Sequence, residues 1–148
     1  MKYLIRFFSG LVLVLVIVAG AAYAYLAPEA MPAPVASDNT LINLDTGDIV
    51  GYQNNLGVSI WRGVPFAQPP VGDLRWRAPR PPASWQQPRQ MLEAGPDCAN
   101  QANNTSAEKN LINGSEDCLY LNVFAPANAK DLPVMFWIHG GANNGGTS

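Results

Sequence analysis

Two stretches, LPVMFWIHGG at residues 132–141 and EDCLYLNVFAP at residues 116–126, decide the fold of this sequence. Apart from Pro133 near its start, the first is apolar on both faces up to Ile138, as a strand is inside a sheet with layers above and below. Within the second, residues 118–124 (CLYLNVF) partly alternate between apolar and polar side chains, which is typical of a half-buried strand. The sequence therefore predicts two strands, one of which ends at His139.

Three more strands are predicted upstream, at residues 41–44, 48–52 and 58–61. Residues 45–47 (DTG) and 53–57 (QNNLG) have the composition of turns, and short strands joined in this way commonly form an antiparallel meander. We therefore expect the three strands to lie side by side in chain order.

The segment 63–89 holds seven of the thirteen prolines together with Trp76 and Trp85. Proline interrupts both helices and regular strand ladders, so the segment should be an extended loop. We expect it to be ordered by packing of its aromatic rings. A disordered proline-rich linker, or a polyproline ligand for a partner domain, is the alternative.

The N-terminus carries an apolar segment. Lys2 and Arg6 precede residues 7–27, which have no charge; as a helix they would measure about 31 Å, enough to cross a bilayer. Two interpretations remain open: a cleaved signal peptide with residues 22–24 (AYA) at the cleavage site, or an uncleaved membrane anchor formed by 7–27. Either predicts export, as a secreted, periplasmic or membrane-anchored protein with its body outside the cytoplasm.

The chain is then divided into three regions. Residues 1–27 form the signal peptide or anchor helix, residues 28–39 a tether rich in proline and alanine, and residues 40–148 the folded body. A proline-rich tether stiffens the backbone but cannot pack a core. A short helix is expected only within residues 99–111, so the body should be built mainly of strands and loops.

Composition excludes several function classes. Only 14% of the residues are charged and the formal net charge is −2, which argues against a nucleic-acid partner. One histidine cannot form a histidine-clustered metal site, and two cysteines cannot form a four-thiolate zinc site, so we predict no metal. We also predict no cofactor.

Two local features point to chemistry. Cys98 and Cys118 would usually pair in an exported chain, although two separate buried thiols remain the alternative. Glycines after a buried strand let backbone N–H groups approach a ligand closely, so Gly140 and Gly141 could help to hold the negative oxygen of a tetrahedral intermediate. A simple turn is the alternative for these glycines.

The order in which four sequence motifs follow one another is more specific than either of these local features. Residues 63–76 (GVPFAQPPVGDLRW), 98–101 (CANQ), 115–123 (SEDCLYLNV) and 134–141 (VMFWIHGG) follow one another along the chain. This series resembles the N-terminal third of the type-B carboxylesterase family, which includes the cholinesterases, from about Thr40 onward. The resemblance implies an α/β class: the N-terminal part of an α/β-hydrolase fold, here mostly short β-strands and loops, preceded by one hydrophobic helix.

The resemblance also implies residue roles. In the family, the cysteines that match Cys98 and Cys118 form a disulfide, and the residues that match Arg75 and Glu116 form a structural ion pair. Backbone N–H groups that match Gly141 and Ala142 belong to the oxyanion hole, with Gly140 as a supporting loop residue. Many members have a third glycine where this chain has Ala142, but alanine retains the backbone donor. The substrate implied is a small-molecule carboxylic ester.

The nucleophile and the base of such an enzyme are not found in this chain. The nucleophile motif G-x-S-x-G does not occur in the sequence, and the only histidine, His139, lies in the oxyanion motif itself. We therefore expect the intact protein to be a serine esterase and this chain alone to be inactive. The alternatives are a non-catalytic adhesion or binding protein of the same fold, or an inactive truncated product.

Overall fold

The structure, a computed structural model, describes residues 2–27, 32–101, 112–141 and 146. Its contacts divide the chain into two compact units, Met1–Ala33 and Pro34–Ser148.

The first unit contains one helix, α1, which spans Lys2–Leu26. Long apolar side chains without an interrupting proline favour a continuous helix here. Within the described residues, no helix combines the length and the apolar character that crossing a bilayer requires. The anchor interpretation of residues 7–27 stays a prediction.

The second unit is built from short strands. In chain order they are β1 (Leu41–Ile42), β2 (Ile49–Val50), β3 (Tyr52–Gln53), β4 (Val58–Pro65), β5 (Arg89–Gln90), β6 (Asn100–Gln101), β7 (Ile112–Asn113) and β8 (Tyr120–Pro126). Short 3-10 helices span Asp38–Thr40 and Gly72–Leu74. The strands form sheets in the orders β1-β2-β5, β3-β4-β8 and β6-β7. All pairs are antiparallel except β2 with β5.

The predicted meander is wrong in one respect. The first two strands pair and so do the next two, but the chain changes sheet at Gly51 between β2 and β3. The Gly51 N–H donates to the hydroxyl of Thr40 (2.9 Å), and the Gly51 carbonyl accepts from Ser37 N–H (3.0 Å). Both polar groups of this backbone unit are thus used outside the ladder, and the strand is interrupted there.

The longest pairing joins β4 to β8. Its register places Val58 opposite Pro126 and Pro65 opposite Tyr120, with a bulge in β4 between Trp61 and Val64. At this bulge the Gly63 N–H donates to the side-chain oxygen of Asn122 (3.1 Å), so a side chain replaces the missing ladder bond. Strand β8 spans Tyr120–Pro126, so it begins and ends two residues later than the predicted strand at 118–124.

The proline-rich loop 63–89 is ordered, as predicted, by a buried ring. Trp85 belongs to the core cluster with Ile49, Trp61, Val64 and Met91. Its indole N–H donates to the carbonyl of Asp48 (2.7 Å), and the guanidinium of Arg89 lies 4.3 Å from the centre of its ring. The second ring of the loop, Trp76, is fully exposed and does not contribute to this packing.

The predicted buried strand at 132–138 is not present. These residues have no strand assignment and all are exposed, with Val134 at 90% and Met135 at 91%. A strand needs a hydrogen-bonded neighbour, and no other described residue pairs with this run. The possible helix at 99–111 lies mostly outside the described residues, and its described part contains β6 rather than a helix.

Candidate functional site

The glycine-rich loop after residue 138 is held at its first residue. With the proton on Nδ1, the His139 ring donates a hydrogen bond to the carbonyl oxygen of Gly140, with an N···O distance of 2.9 Å. Among the described residues, this is the only hydrogen bond of the run from 132 to 141. One side chain therefore fixes the carbonyl of the peptide that links Gly140 to Gly141.

The other end of this peptide is the N–H of Gly141. Gly141 has a φ of +145°, a backbone conformation that side-chain-bearing residues rarely adopt. Its N–H makes no hydrogen bond to another described residue. The carbonyl and the N–H of a trans peptide point in opposite directions, so this donor points away from the acceptor that His139 occupies. The second predicted donor, Ala142, lies outside the described residues.

Arg75 and Glu116 lie together, 41 positions apart in sequence. Arg75 and Glu116 form a bidentate ion pair: Nε of Arg75 donates to one carboxylate oxygen, and Nη2 donates to the other (2.5 Å). These hydrogen bonds lower the pKa of Glu116 and raise the pKa of Arg75. About half of each side chain is exposed, so water screens the attraction, and the pair serves mainly to fix geometry.

Cys98 and Cys118 form a disulfide, with Cα atoms 4.9 Å apart. A parallel bridge between Cys98 and Ser115 lies beside it, and Ala99 N–H donates to the Ser115 carbonyl (3.0 Å). Glu116 lies between Ser115, which the bridge holds beside Cys98, and Cys118, which the disulfide joins to Cys98. The disulfide therefore holds the short segment that carries the Glu116 carboxylate.

One contact in this segment was not predicted from the sequence. The Tyr120 hydroxyl donates to a carboxylate oxygen of Asp117 (2.8 Å). Burial, with this hydrogen bond, raises the pKa of Tyr120. The adjacent carboxylates of Glu116 and Asp117 thus take different partners, Arg75 and Tyr120. Their adjacency was visible in the sequence, but the partners were not.

Gly146 was also missed as a loop residue. A Cβ placed on it would lie against the carbonyl oxygen of Gly140 and 2.6 Å from Nδ1 of His139. The backbone at Gly146 therefore packs directly on the start of the loop. The only signal in the sequence was a second pair of glycines, Gly145 and Gly146, four residues after the first pair.

Comparison with known proteins places these features in a family. A family model described as the carboxylesterase family matches residues 38–148, three quarters of the chain.

The chain belongs to the carboxylesterase family.

Individual relatives agree with this membership. The para-nitrobenzyl esterase of Bacillus subtilis is 43% identical over 104 residues, which are 69% of this chain and 21% of that protein. The fumonisin B1 esterase of Sphingopyxis macrogoltabida is 39% identical over 127 residues, which are 82% of this chain and 23% of that protein. The chain spans about a fifth to a quarter of the length of these carboxylesterases.

A solved structure supports the fold. A PNB esterase superposes with a TM-score of 0.64 at 41% identity, over 73% of this chain and 22% of that one. At this identity the likeness extends beyond general topology. The predicted fold class, part of an α/β-hydrolase fold with short strands after one helix, is confirmed.

Proposed function

We propose that the intact protein containing this chain is a serine esterase that hydrolyses small-molecule carboxylic esters through an acyl-enzyme. The observation that carries the proposal is the N–H of Gly141, which follows His139 and Gly140 and has no acceptor among the described residues. Membership in the carboxylesterase family supports the same chemistry. The reaction requires no cofactor.

The proposed role of this chain is electrostatic. A serine hydroxyl attacks the ester carbonyl carbon, its proton passes to a base, and the carbonyl electron pair moves onto oxygen. N–H donors aimed at that oxygen stabilise the charge as it develops. Gly141 and Ala142 supply these donors, and Gly140 supports the loop. Collapse of the intermediate expels the alcohol, and water then releases the acid from the serine.

The proposal places the serine and the base in other parts of the intact protein: this sequence contains no G-x-S-x-G motif, and its single histidine, His139, belongs to the oxyanion motif. The 148 residues alone should therefore be inactive. Arg75 with Glu116, and Cys98 with Cys118, have a structural role in this scheme: they order the segments around residues 75 and 116 and take no part in the proton transfers.

The test is hydrolysis of a chromogenic short-chain carboxylic ester by the intact protein. Ala142→Pro removes one proposed N–H donor and should lower kcat by about 100- to 1,000-fold with little change in KM. The control is Ala83→Pro, at an exposed residue whose N–H makes no hydrogen bond to a described residue. Absence of hydrolysis by the intact parent protein would refute the enzyme and favour a binding protein of the same fold.

We also propose that the protein is exported, with the helix Lys2–Leu26 as a cleaved signal. The basic residues Lys2 and Arg6 before an uncharged run support this, as does a disulfide, which persists in oxidising compartments. Mass spectrometry of the mature N-terminus tests the proposal. A new terminus just after Ala24 is expected; an intact Met1 on a membrane-bound protein would overturn cleavage.

A further inference from the structure

Gly146 occupies a position that no residue with a side chain could take without moving the loop. Its φ is +114°, and a Cβ there would collide with the Gly140 carbonyl oxygen and lie 2.6 Å from Nδ1 and 3.2 Å from Cε1 of His139. Real Cβ atoms essentially never come within 3.0 Å of other atoms, as this one would at the Gly140 oxygen and at Nδ1 of His139. The obstacle at Gly140 is backbone, which a side-chain rotation cannot relieve.

The atoms that Gly146 packs against are those that set the direction of one peptide plane. The Gly140 carbonyl oxygen accepts the hydrogen bond from His139 and also lies against Gly146. This carbonyl and the Gly141 N–H belong to the same planar trans peptide, so they turn together about the chain axis. Whatever restrains the carbonyl on one side aims the N–H on the other.

We propose that Gly146 is a positioning residue of the oxyanion loop: its missing side chain lets the backbone return onto His139 and the Gly140 carbonyl, and this contact aims the N–H of Gly141 at the reacting oxygen. The inference rests on the proposed esterase function. Gly146 touches neither substrate nor reacting atoms and acts through the Gly140–Gly141 peptide.

The position of Gly146 also adds a restraint on the peptide between Gly140 and Gly141. Glycine is the residue most costly to order, and a run of glycines has many alternative conformations. The His139 hydrogen bond restrains the Gly140 carbonyl from one side only. Contact with the backbone at Gly146 provides the second restraint, so the peptide plane cannot simply rotate away.

Gly146→Ala in the intact protein tests the inference. The new methyl group must displace the Gly140 carbonyl, so the Gly141 N–H turns away from the oxyanion position. Misplacing a donor by about 1 Å costs on the order of 100-fold in rate, so we expect kcat for a short-chain ester to fall by about 10- to 100-fold with KM nearly unchanged. The Nδ1 signal of His139, assigned from the nitrogen NMR spectrum of a His139→Gln variant, should shift.

Gly57→Ala is the matched control. Gly57 also has a positive φ (+76°), but a Cβ there meets nothing within 4 Å, so the substitution places an alanine at positive φ without a collision. It should change neither kcat nor the His139 signal. Thermal unfolding of both variants shows whether they fold equally well.

Three outcomes are distinguishable. A Gly146→Ala protein with parental kcat and an unmoved His139 signal overturns the inference. A fall in kcat equal to that of Gly57→Ala also overturns it, because strain alone would then account for the loss. If the parent protein hydrolyses no ester, the proposed function fails, and the His139 signal alone decides whether Gly146 orders the loop.

Discussion

Among the described residues, Thr40 is the most deeply buried polar one, with 2% of its surface exposed. Its hydroxyl donates to the Ser37 carbonyl (2.6 Å) and accepts from the Gly51 N–H, and its own carbonyl accepts from the indole of Trp61 (2.8 Å). One residue thus joins the chain before β1, the point where the sheets change, and the core. No hydrophobic pattern marks such a residue, and sequence reasoning gave it no role.

Thr40→Val tests this role because it keeps the shape and removes the hydroxyl. The buried N–H of Gly51 would lose its acceptor, so the free energy of unfolding should fall by about 1–3 kcal/mol. Urea denaturation measures it. Thr40→Ser is the control, since it retains the hydroxyl and loses only a methyl group. Equal losses in the two variants would assign the effect to packing instead.

Glu116 makes stability depend on pH in the acid range. Because hydrogen bonds from Arg75 lower its pKa in the folded state, the unfolded chain binds more protons below about pH 4.5, the ordinary pKa. The stabilisation by this pair is therefore present above that pH and is lost as the pH falls through the lowered pKa. Urea midpoints between pH 7 and pH 3 should fall less steeply for Glu116→Gln than for the parent.

Glu93→Gln supplies the comparison for this pH series. Glu93 is exposed and its side chain makes no hydrogen bond or ion pair with a described residue. Its midpoints should follow those of the parent at every pH. Parallel curves for the parent and Glu116→Gln would show that the ion pair does not couple folding to protons.

At the scale of elements, the disulfide closes the loop of residues 98–118, which contains β6 and β7. Cys98 and Cys118 are 20 positions apart, and cross-linking a loop of this size stabilises a protein by about 3 kcal/mol in the chain-entropy model. Replacing both cysteines with serine should lower the free energy of unfolding by about that amount, as measured in urea.

Reduction provides the control for the serine variant. A thiol reductant should bring the parent to the midpoint of the double variant and leave the variant unchanged. If the oxidised parent and the variant unfold at the same urea concentration, the bond adds nothing to the stability of this segment.

Several elements were predictable from the sequence because their signals are local. Turn residues at 45–47 and 53–57 indicated where the hairpins β1-β2 and β3-β4 lie. The aromatic residues of the proline-rich loop indicated that this loop is ordered and not a flexible linker. The sheet change at Gly51 was not predictable, because it depends on partners at Thr40 and Ser37 that only the folded chain brings close.

The candidate site, too, was predictable from the sequence only in part. The pairs Cys98 with Cys118 and Arg75 with Glu116 were named from a family resemblance, and the structure joins each pair. The prediction of a buried strand before His139 was wrong. An apolar sequence favours burial, but a strand is buried only if other elements pack on both of its faces. Gly146 was missed because its significance lies in a contact with residues several positions earlier.

At the scale of the whole molecule, residues 132–138 form the longest run of exposed apolar side chains among the described residues of the second unit. An extended apolar segment with unpaired backbone groups is a template for pairing with another chain. The 148-residue chain should therefore associate with itself as its concentration rises.

Phe136→Lys should raise the concentration at which light scattering by this chain begins, because a charge within such a run opposes strand pairing. Leu56→Lys is the matched variant: Leu56 is 81% exposed but isolated in a turn, and the change in net charge is the same. Similar gains in both variants would attribute the effect to net charge and not to the run.

The partnership of β4 with β8 has a kinetic consequence. Val58 meets Pro126, so one edge of β4 stays without its neighbour until almost seventy further residues have been synthesised. Contacts this distant in sequence form slowly, because a long loop must first close, and closing it costs conformational entropy. If the protein is exported as proposed, slow pairing of β4 would help to keep the chain extended during export, because β4 has no partner on this side until β8 is available.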